Sequence, residues 1–150
     1  MTTLIAASTE LERLNPFVGV WDTEGEMKTT APGRLAKFRA TDTYEWVPGG
    51  HFLLHRFDAD MPEGKVQGIE VIGYSRENDS FPMHSFDSTG NTSLMQAQVK
   101  KEIWTFVGDT IRFTGQFRDN GRVFAGLWEF LSGVDAAWLP LMDVTLRKAG

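Results

Sequence analysis

The feature that most constrains the fold is a series of short β-branched and aromatic segments, which begins at Phe17 and continues almost to the end of the 150-residue chain. Sequences such as Pro32-Gly33 and Asp119-Asn120-Gly121 separate them and favour tight turns. Connections this short join only antiparallel neighbours. The predicted strands run near residues 19–29, 35–47, 52–61, 65–74, 81–87, 93–100, 102–107, 110–118, 122–131 and 138–147.

Strands in such a sequential series predict a closed barrel, because an open meander of this length would leave unpaired edges. A two-sheet sandwich is the alternative, but sandwiches usually include long crossing connections, which this sequence lacks. A parallel α/β sheet is excluded because no helical segment lies between strands. A short helix precedes them, with Ser8 before it and Asn15-Pro16 ending it, and we expect it to pack over one end with Leu4, Leu11 and Leu14.

The predicted architecture is therefore a single all-β domain over residues 1–150. Residues 1–16 form an N-terminal helical cap, and residues 17–148 form a ten-stranded antiparallel up-and-down β-barrel. The third strand is apolar on both of its faces near residues 51–57. A barrel that is packed with side chains or holds one small molecule, and that is capped or dimerised on part of its exterior, would have this pattern. A homo-oligomer is therefore an open alternative.

Composition excludes several function classes. Without cysteine, the chain has neither disulfides nor thiolate chemistry. The 15 basic and 20 acidic residues leave a net charge of −5, which argues against nucleic acid as a partner. The first ten residues lack the pattern of a secretory signal, and no apolar run approaches the ~20 residues of a membrane helix. We expect a cytoplasmic protein with no membrane partner.

Histidines and carboxylates are the candidates for catalysis. His51 and His55 lie four residues apart on one strand, roughly 13 Å along it, which is too far to bind one metal ion, and we expect no metal site. His55 and Glu70 lie on adjacent strands. A carboxylate that holds one imidazole nitrogen would leave the other free to transfer a proton. His84, one strand further, could join this pocket. The competing interpretation is that these side chains satisfy one another or bind water inside the barrel.

Aromatic residues and one arginine are the candidates for ligand binding. Tyr44, Trp104 and Trp128 could line a cavity and hold a flat or aliphatic molecule, although core packing explains them equally well. Arg112 interrupts an apolar segment. If it faces inward, it would pair with an acidic residue such as Glu129 or bind a ligand carboxylate, and if it faces outward it is ordinary surface.

Several motifs together resemble a known family. They include Gly19-x-Trp21-x-x-x-Gly25 at the first strand, Gly49-Gly50-x-Phe52-Leu53-Leu54-His55, His84-x-Phe86-Asp87-Ser88-x-Gly90-Asn91, Trp104-x-Phe106-x-Gly108-Asp109 and Gly126-x-Trp128-Glu129. The series resembles the bacterial DUF1579 family, which consists of small calycin-like (lipocalin-like) proteins without an assigned activity, over nearly the whole chain. The resemblance implies a ten-stranded antiparallel β-barrel with an internal cavity.

The wider calycin resemblance carries two further implications. In that group the tryptophan of the first strand packs across the closed end of the barrel, and a late arginine, here Arg147, stacks on it. The remote nitrobindin-like barrels bind haem through a histidine late in the chain, but the last histidine here is His84. We therefore expect no cofactor.

The sequence leaves two main hypotheses for function. The first is binding of a small, mostly hydrophobic molecule inside the barrel. The alternative is a cofactor-independent enzyme, such as an isomerase, hydratase or cyclase, in which His55 and Glu70 move a proton in a site that excludes water. Haem binding and an oligomeric interaction module are less favoured alternatives.

Overall fold

A computed structural model describes residues 5–28 and 36–150, and within them it contains ten strands and one short 3₁₀ helix. The predicted turn at Pro32-Gly33 and the predicted contribution of Leu4 to the helical cap lie outside the described residues. After the helix at Leu11–Phe17, the strands are β1 (Gly19–Met27), β2 (Lys37–Trp46), β3 (Leu53–Met61), β4 (Gly64–Ile72), β5 (Phe81–Asp87), β6 (Thr92–Lys100), β7 (Ile103–Val107), β8 (Ile111–Arg118), β9 (Val123–Leu131) and β10 (Trp138–Lys148).

The strands close into an up-and-down barrel, which confirms the predicted fold. Each strand pairs in antiparallel fashion with its sequence neighbours, and β1 also pairs with β10 to complete the cylinder. That closing ladder runs from Trp21 opposite Lys148 to Met27 opposite Met142. Because closure pairs both terminal strands, the sheet formed by the described residues has no free edge of the kind that favours aggregation.

The 3₁₀ helix covers one end of the barrel. Its residues Leu11, Leu14 and Phe17 are buried, and the Phe17 ring lies 4.9 Å from the rings of Trp104 and Phe117. The sequence predicted that Asn15-Pro16 would end this helix, but it continues through Pro16 to Phe17. A helix this short tolerates the missing proline N–H because most of its first donors have no helical partner in any case.

Trp21 lies at this covered end and is fully buried. Its indole nitrogen donates a hydrogen bond to the Phe17 carbonyl at 2.7 Å, which ties the first strand to the helix. The expected partner of its ring was Arg147, but the ammonium of Lys148 lies over the ring instead, 5.1 Å from the centroid. Lys148 stands directly opposite Trp21 in the ladder, whereas Arg147 stands opposite Asp22 and is therefore directed outward.

Two glycines let aromatic rings lie flat against the inner wall. A Cβ atom at Gly25 would lie 2.0 Å from the ring of Phe38, and one at Gly68 would lie 2.4 Å from the ring of Phe57. Each ring belongs to the residue directly opposite its glycine on the neighbouring strand. A side chain at either glycine would push the ring toward the barrel axis, so these pairs help to keep the interior open. Among the described residues, no helix has the length and apolar character needed to cross a bilayer.

Candidate functional site

The barrel contains an interior cavity of about 370 Å³. Its walls are mostly apolar, and inward-facing residues from all ten strands contribute to them. The aromatic part consists of Phe38, Tyr44, Phe57, Phe106, Phe113, Phe124 and Trp128. A cavity of this size and character falls within the range of small-molecule sites in proteins.

Methionines form a second group in the cavity wall. Four of the six methionines of the chain line it, namely Met61, Met83, Met95 and Met142. The methionine side chain is unbranched and polarisable, so it changes shape at low cost and makes favourable contacts with aromatic rings. This part of the wall can therefore adjust to the outline of a guest molecule.

One polar cluster interrupts the apolar wall and consists of Asp42, His55 and Glu70, which we call the acid–histidine cluster. His55 Nε2 lies 2.6 Å from Asp42 Oδ1, and His55 Nδ1 lies 3.0 Å from Glu70 Oε1. Strand pairing brings them together, because His55 on β3 stands directly opposite Glu70 on β4 and Asp42 lies on the adjacent β2. All three side chains occupy inward positions, and all are at most 12% exposed.

Two neighbouring residues hold the acid–histidine cluster in place. The Thr23 hydroxyl donates a hydrogen bond of 2.5 Å to Asp42 Oδ2, so both oxygens of that carboxylate have partners. The Tyr44 ring stacks on the His55 ring, with the centroids 4.1 Å apart and the planes 8° from parallel. These contacts restrict the imidazole to one orientation, so the cluster is organised before any ligand arrives.

The geometry requires His55 to be protonated when both acids are ionised. Each ring nitrogen faces a carboxylate oxygen, and a neutral imidazole has only one N–H to donate, whereas the imidazolium has two. Burial by itself lowers the pKa of His55, but hydrogen bonds from the ring to Asp42 and Glu70 outweigh it and raise the pKa to about 9. Burial, followed by the negative charges of Asp42 and Glu70, also raises the pKa of Tyr44 well above its ordinary value.

Glu70 is the member of the acid–histidine cluster that has bonding capacity left. Only one of its oxygens has a hydrogen-bond partner in the described part of the chain. No fully buried polar side-chain atom of the described residues lacks a partner, so the second oxygen retains access to the cavity that Glu70 lines. The cluster therefore presents one carboxylate oxygen, a hydrogen-bond acceptor, to the interior.

Four of the residues that the sequence singled out meet at this cavity. His55, Glu70, Tyr44 and Trp128 all line it. The nitrogen of His55 that was expected to be free instead faces Asp42. Trp104 does not line the cavity, since it is buried beneath the helix with its ring against Phe17.

The placements of His84 and Arg112 correct the expectation that they could join the site. His84 stands opposite Val71, one residue out of step with Glu70, and its side chain is exposed on the outer face. Arg112 also points outward, where it forms an ion pair of 2.9 Å with Glu129 and lies 4.3 Å from the centroid of the Trp138 ring. Side chains on a strand alternate between faces, so a shift of one residue is enough to exclude each of them.

Sequence reasoning missed Asp42 and Thr23. A usable signal was present, because Asp42 shares its parity with the large apolar residues Phe38, Tyr44 and Trp46. A carboxylate on the apolar face of a strand needs an inward partner, and His55 on the next strand is that partner.

Comparisons with known proteins bear on the family. A de novo designed fluorescence-activating β-barrel is similar in structure, with a TM-score of 0.49 and 13% sequence identity over 90% of this chain and 95% of that chain. No curated protein matches the sequence. The model of a family described as a protein of unknown function, DUF1579, matches residues 7–122. This chain accordingly belongs to the DUF1579 family.

Proposed function

We propose that this protein binds a small, mostly hydrophobic molecule inside its barrel. The observation that carries the proposal is the 370 Å³ cavity with apolar walls and one organised polar cluster. Sites for small molecules commonly combine apolar and aromatic lining with a few polar groups that orient the ligand.

The energetics of the cavity support this function. At roughly 30 Å³ per water molecule, the 370 Å³ volume corresponds to about 12 waters facing mostly apolar walls. Water in such surroundings finds few hydrogen-bond partners, so its replacement by an apolar molecule is favourable. The flexible methionines reduce the cost of matching the wall to that molecule.

The geometry favours binding over the acid–base enzyme. In that alternative His55 needs one nitrogen free for the substrate, but its two nitrogens lie 2.6 and 3.0 Å from Asp42 and Glu70. A proton leaving His55 would pass to one of these carboxylates and not directly to a guest. The His55 side chain therefore acts mainly to orient Glu70 and to balance the charge of the two carboxylates.

The proposal is tested by filling the cavity at Ala40. Leucine at this position adds three carbons inside the cavity, whereas leucine at the adjacent Thr41 points outward and serves as the matched control. With the neutral dye N-phenyl-1-naphthylamine as the probe, whose fluorescence rises in apolar surroundings, we expect the wild type and Thr41→Leu to bind alike. Ala40→Leu should bind at least about tenfold more weakly, which corresponds to roughly 1.4 kcal/mol.

Two results would contradict this proposal. One is the absence of dye binding by the wild type together with no bound small molecule in native mass spectra of the protein purified from its source. The other is equal weakening by Ala40→Leu and Thr41→Leu, because dye bound on the outer surface would not distinguish the two faces of β2.

A further inference from the structure

We propose that the preferred ligand is an apolar molecule that carries a protonated amine, with the ammonium group set against Glu70. This inference rests on the proposed binding function and adds to it the chemical class of the ligand. It implies discrimination against fatty acids and other apolar carboxylates.

Charge balance is the first argument. The acid–histidine cluster contains two carboxylates, and the one imidazolium that both of them face compensates only one negative charge. Apart from these three residues, no Asp, Glu, Lys, Arg or His among the described residues lines the cavity. With both acids ionised, one negative charge is left in an apolar interior, where an unpaired charge is costly and a cation brought by the ligand would be stabilised.

The second argument is hydrogen-bonding capacity. It depends on where the donors and acceptors lie and not on the net charge of the acid–histidine cluster. Both His55 nitrogens and both Asp42 oxygens are occupied, so the second oxygen of Glu70 is the bonding group that the cluster has left. A carboxylate accepts hydrogen bonds and cannot donate them, so the ligand has to supply the donor. An ammonium or a hydroxyl meets this requirement. A ligand carboxylate does not, since it would place one acceptor beside another.

Rigidity of the acid–histidine cluster is the third argument. The Tyr44 ring stacks on His55 at 4.1 Å, and Thr23 holds Asp42, so the imidazole cannot easily turn to offer an N–H to an anionic ligand. To reach an N–H of His55, an anion would have to displace Glu70 or Asp42 from a hydrogen bond already made. An ammonium group can add to the cluster without breaking any of its bonds.

The test uses three probes with the same ten-carbon chain: decylamine, 1-decanol and decanoate. Each competes at pH 7 with N-phenyl-1-naphthylamine for the wild-type protein, below the concentration at which it aggregates. We expect decylamine to bind most tightly, decanol next and decanoate most weakly, with a difference of roughly tenfold or more between the two charged probes. This ranking requires no variant, so it can be obtained even if substitutions impair folding.

A pair of isosteric variants locates the preference. Glu70→Gln replaces the carboxylate oxygen facing the cavity with an amide and removes one negative charge, while Glu45→Gln makes the same change on the exposed face of β2. We expect Glu70→Gln to weaken the binding of decylamine by about tenfold. Its affinity for decanol should stay within about threefold of the wild-type value, and its affinity for decanoate should rise. Glu45→Gln should leave the ranking unchanged.

The outcomes separate this inference from the function on which it rests. If the dye and decanol bind but decanoate binds as tightly as decylamine or more tightly, the inference on ligand class is overturned and the binding function stands. Equal effects of Glu70→Gln and Glu45→Gln on decylamine would also overturn it. If neither the dye nor any of the three probes binds, both proposals fail together.

Discussion

Among the ion pairs that join directly opposed residues on adjacent strands, two lie on opposite sides of the barrel wall. His55 faces Glu70 in the interior at 3.0 Å, and Arg112 faces Glu129 on the exterior at 2.9 Å. The side chain of His55 is 12% exposed, whereas that of Arg112 is 37% exposed. Burial strengthens an electrostatic interaction and also raises the cost of leaving either partner alone.

This comparison shows that similar pairing has different consequences on the two faces. In the exterior pair, solvent can replace a lost partner, and the stacked Trp138 ring adds a contact that water also screens. In the interior, each member of the acid–histidine cluster depends on the others, because the surrounding walls are apolar. Under the proposed function the inner pair therefore orients a ligand, whereas the outer pair modestly stabilises β8 against β9.

Removal of Asp42 is expected to have the largest effect on stability. Asp42→Ala leaves the His55 Nε2 position without its acceptor and Thr23 without its partner, which should lower the free energy of unfolding by about 3 kcal/mol. The control is Asp58→Ala, which breaks an exposed ion pair with Lys65 and should cost less than about 1 kcal/mol. Urea denaturation measures the free energy of unfolding of both variants. Similar losses of this free energy for the two variants would contradict the distinction between inner and outer pairs.

The pH dependence of stability should be of comparable magnitude. The pKa of His55 rises from an ordinary value of 6.5 to about 9 in the folded protein. Its protonation therefore stabilises the fold fully below pH 6.5, and this contribution is lost as the pH rises through about 9. The difference between the two pKa values corresponds to about 3 kcal/mol in the free energy of unfolding.

Chemical denaturation from pH 6 to pH 10 measures this decline. His55→Leu should show a flatter profile, and His84→Ala, which alters the exposed outer face, should keep the wild-type slope. A wild-type slope retained by His55→Leu would assign the pH dependence to other groups.

The smallest expected effect belongs to the outer pair. Arg112→Met removes the ion pair with Glu129 and the contact with Trp138, and should cost about 0.5 to 1 kcal/mol in the free energy of unfolding. Molar salt should reduce that loss by screening the pair in the wild type, while leaving the effect of Asp42→Ala nearly unchanged. A loss as large as that of Asp42→Ala would mean that exposure does not separate the two pairs.

Much of the fold follows from local patterns in the sequence. The alternation of residues such as Phe38, Tyr44 and Trp46 and the turn at Asp119-Asn120-Gly121 predict strands and hairpins, since the pleat and the turn depend on neighbouring residues. The pairing of His55 with Glu70 was also predictable, because adjacent antiparallel strands place such residues side by side. The continuation of the first helix through Pro16 was not predictable from local sequence, because burial of Phe17 against Trp104 stabilises the last turn of that helix.

The candidate site divides in the same way. Its residue types and the membership of each strand face are local properties, so the sequence alone determined that Asp42 shares a face with Tyr44 and that Arg112 does not share one with Phe113. Only the tertiary structure decided which face looks inward, and hence that Asp42 occupies the second nitrogen of His55 while His84 and Arg112 lie outside. The reason is that inward and outward acquire meaning only when β1 pairs with β10, a contact between residues far apart in the chain.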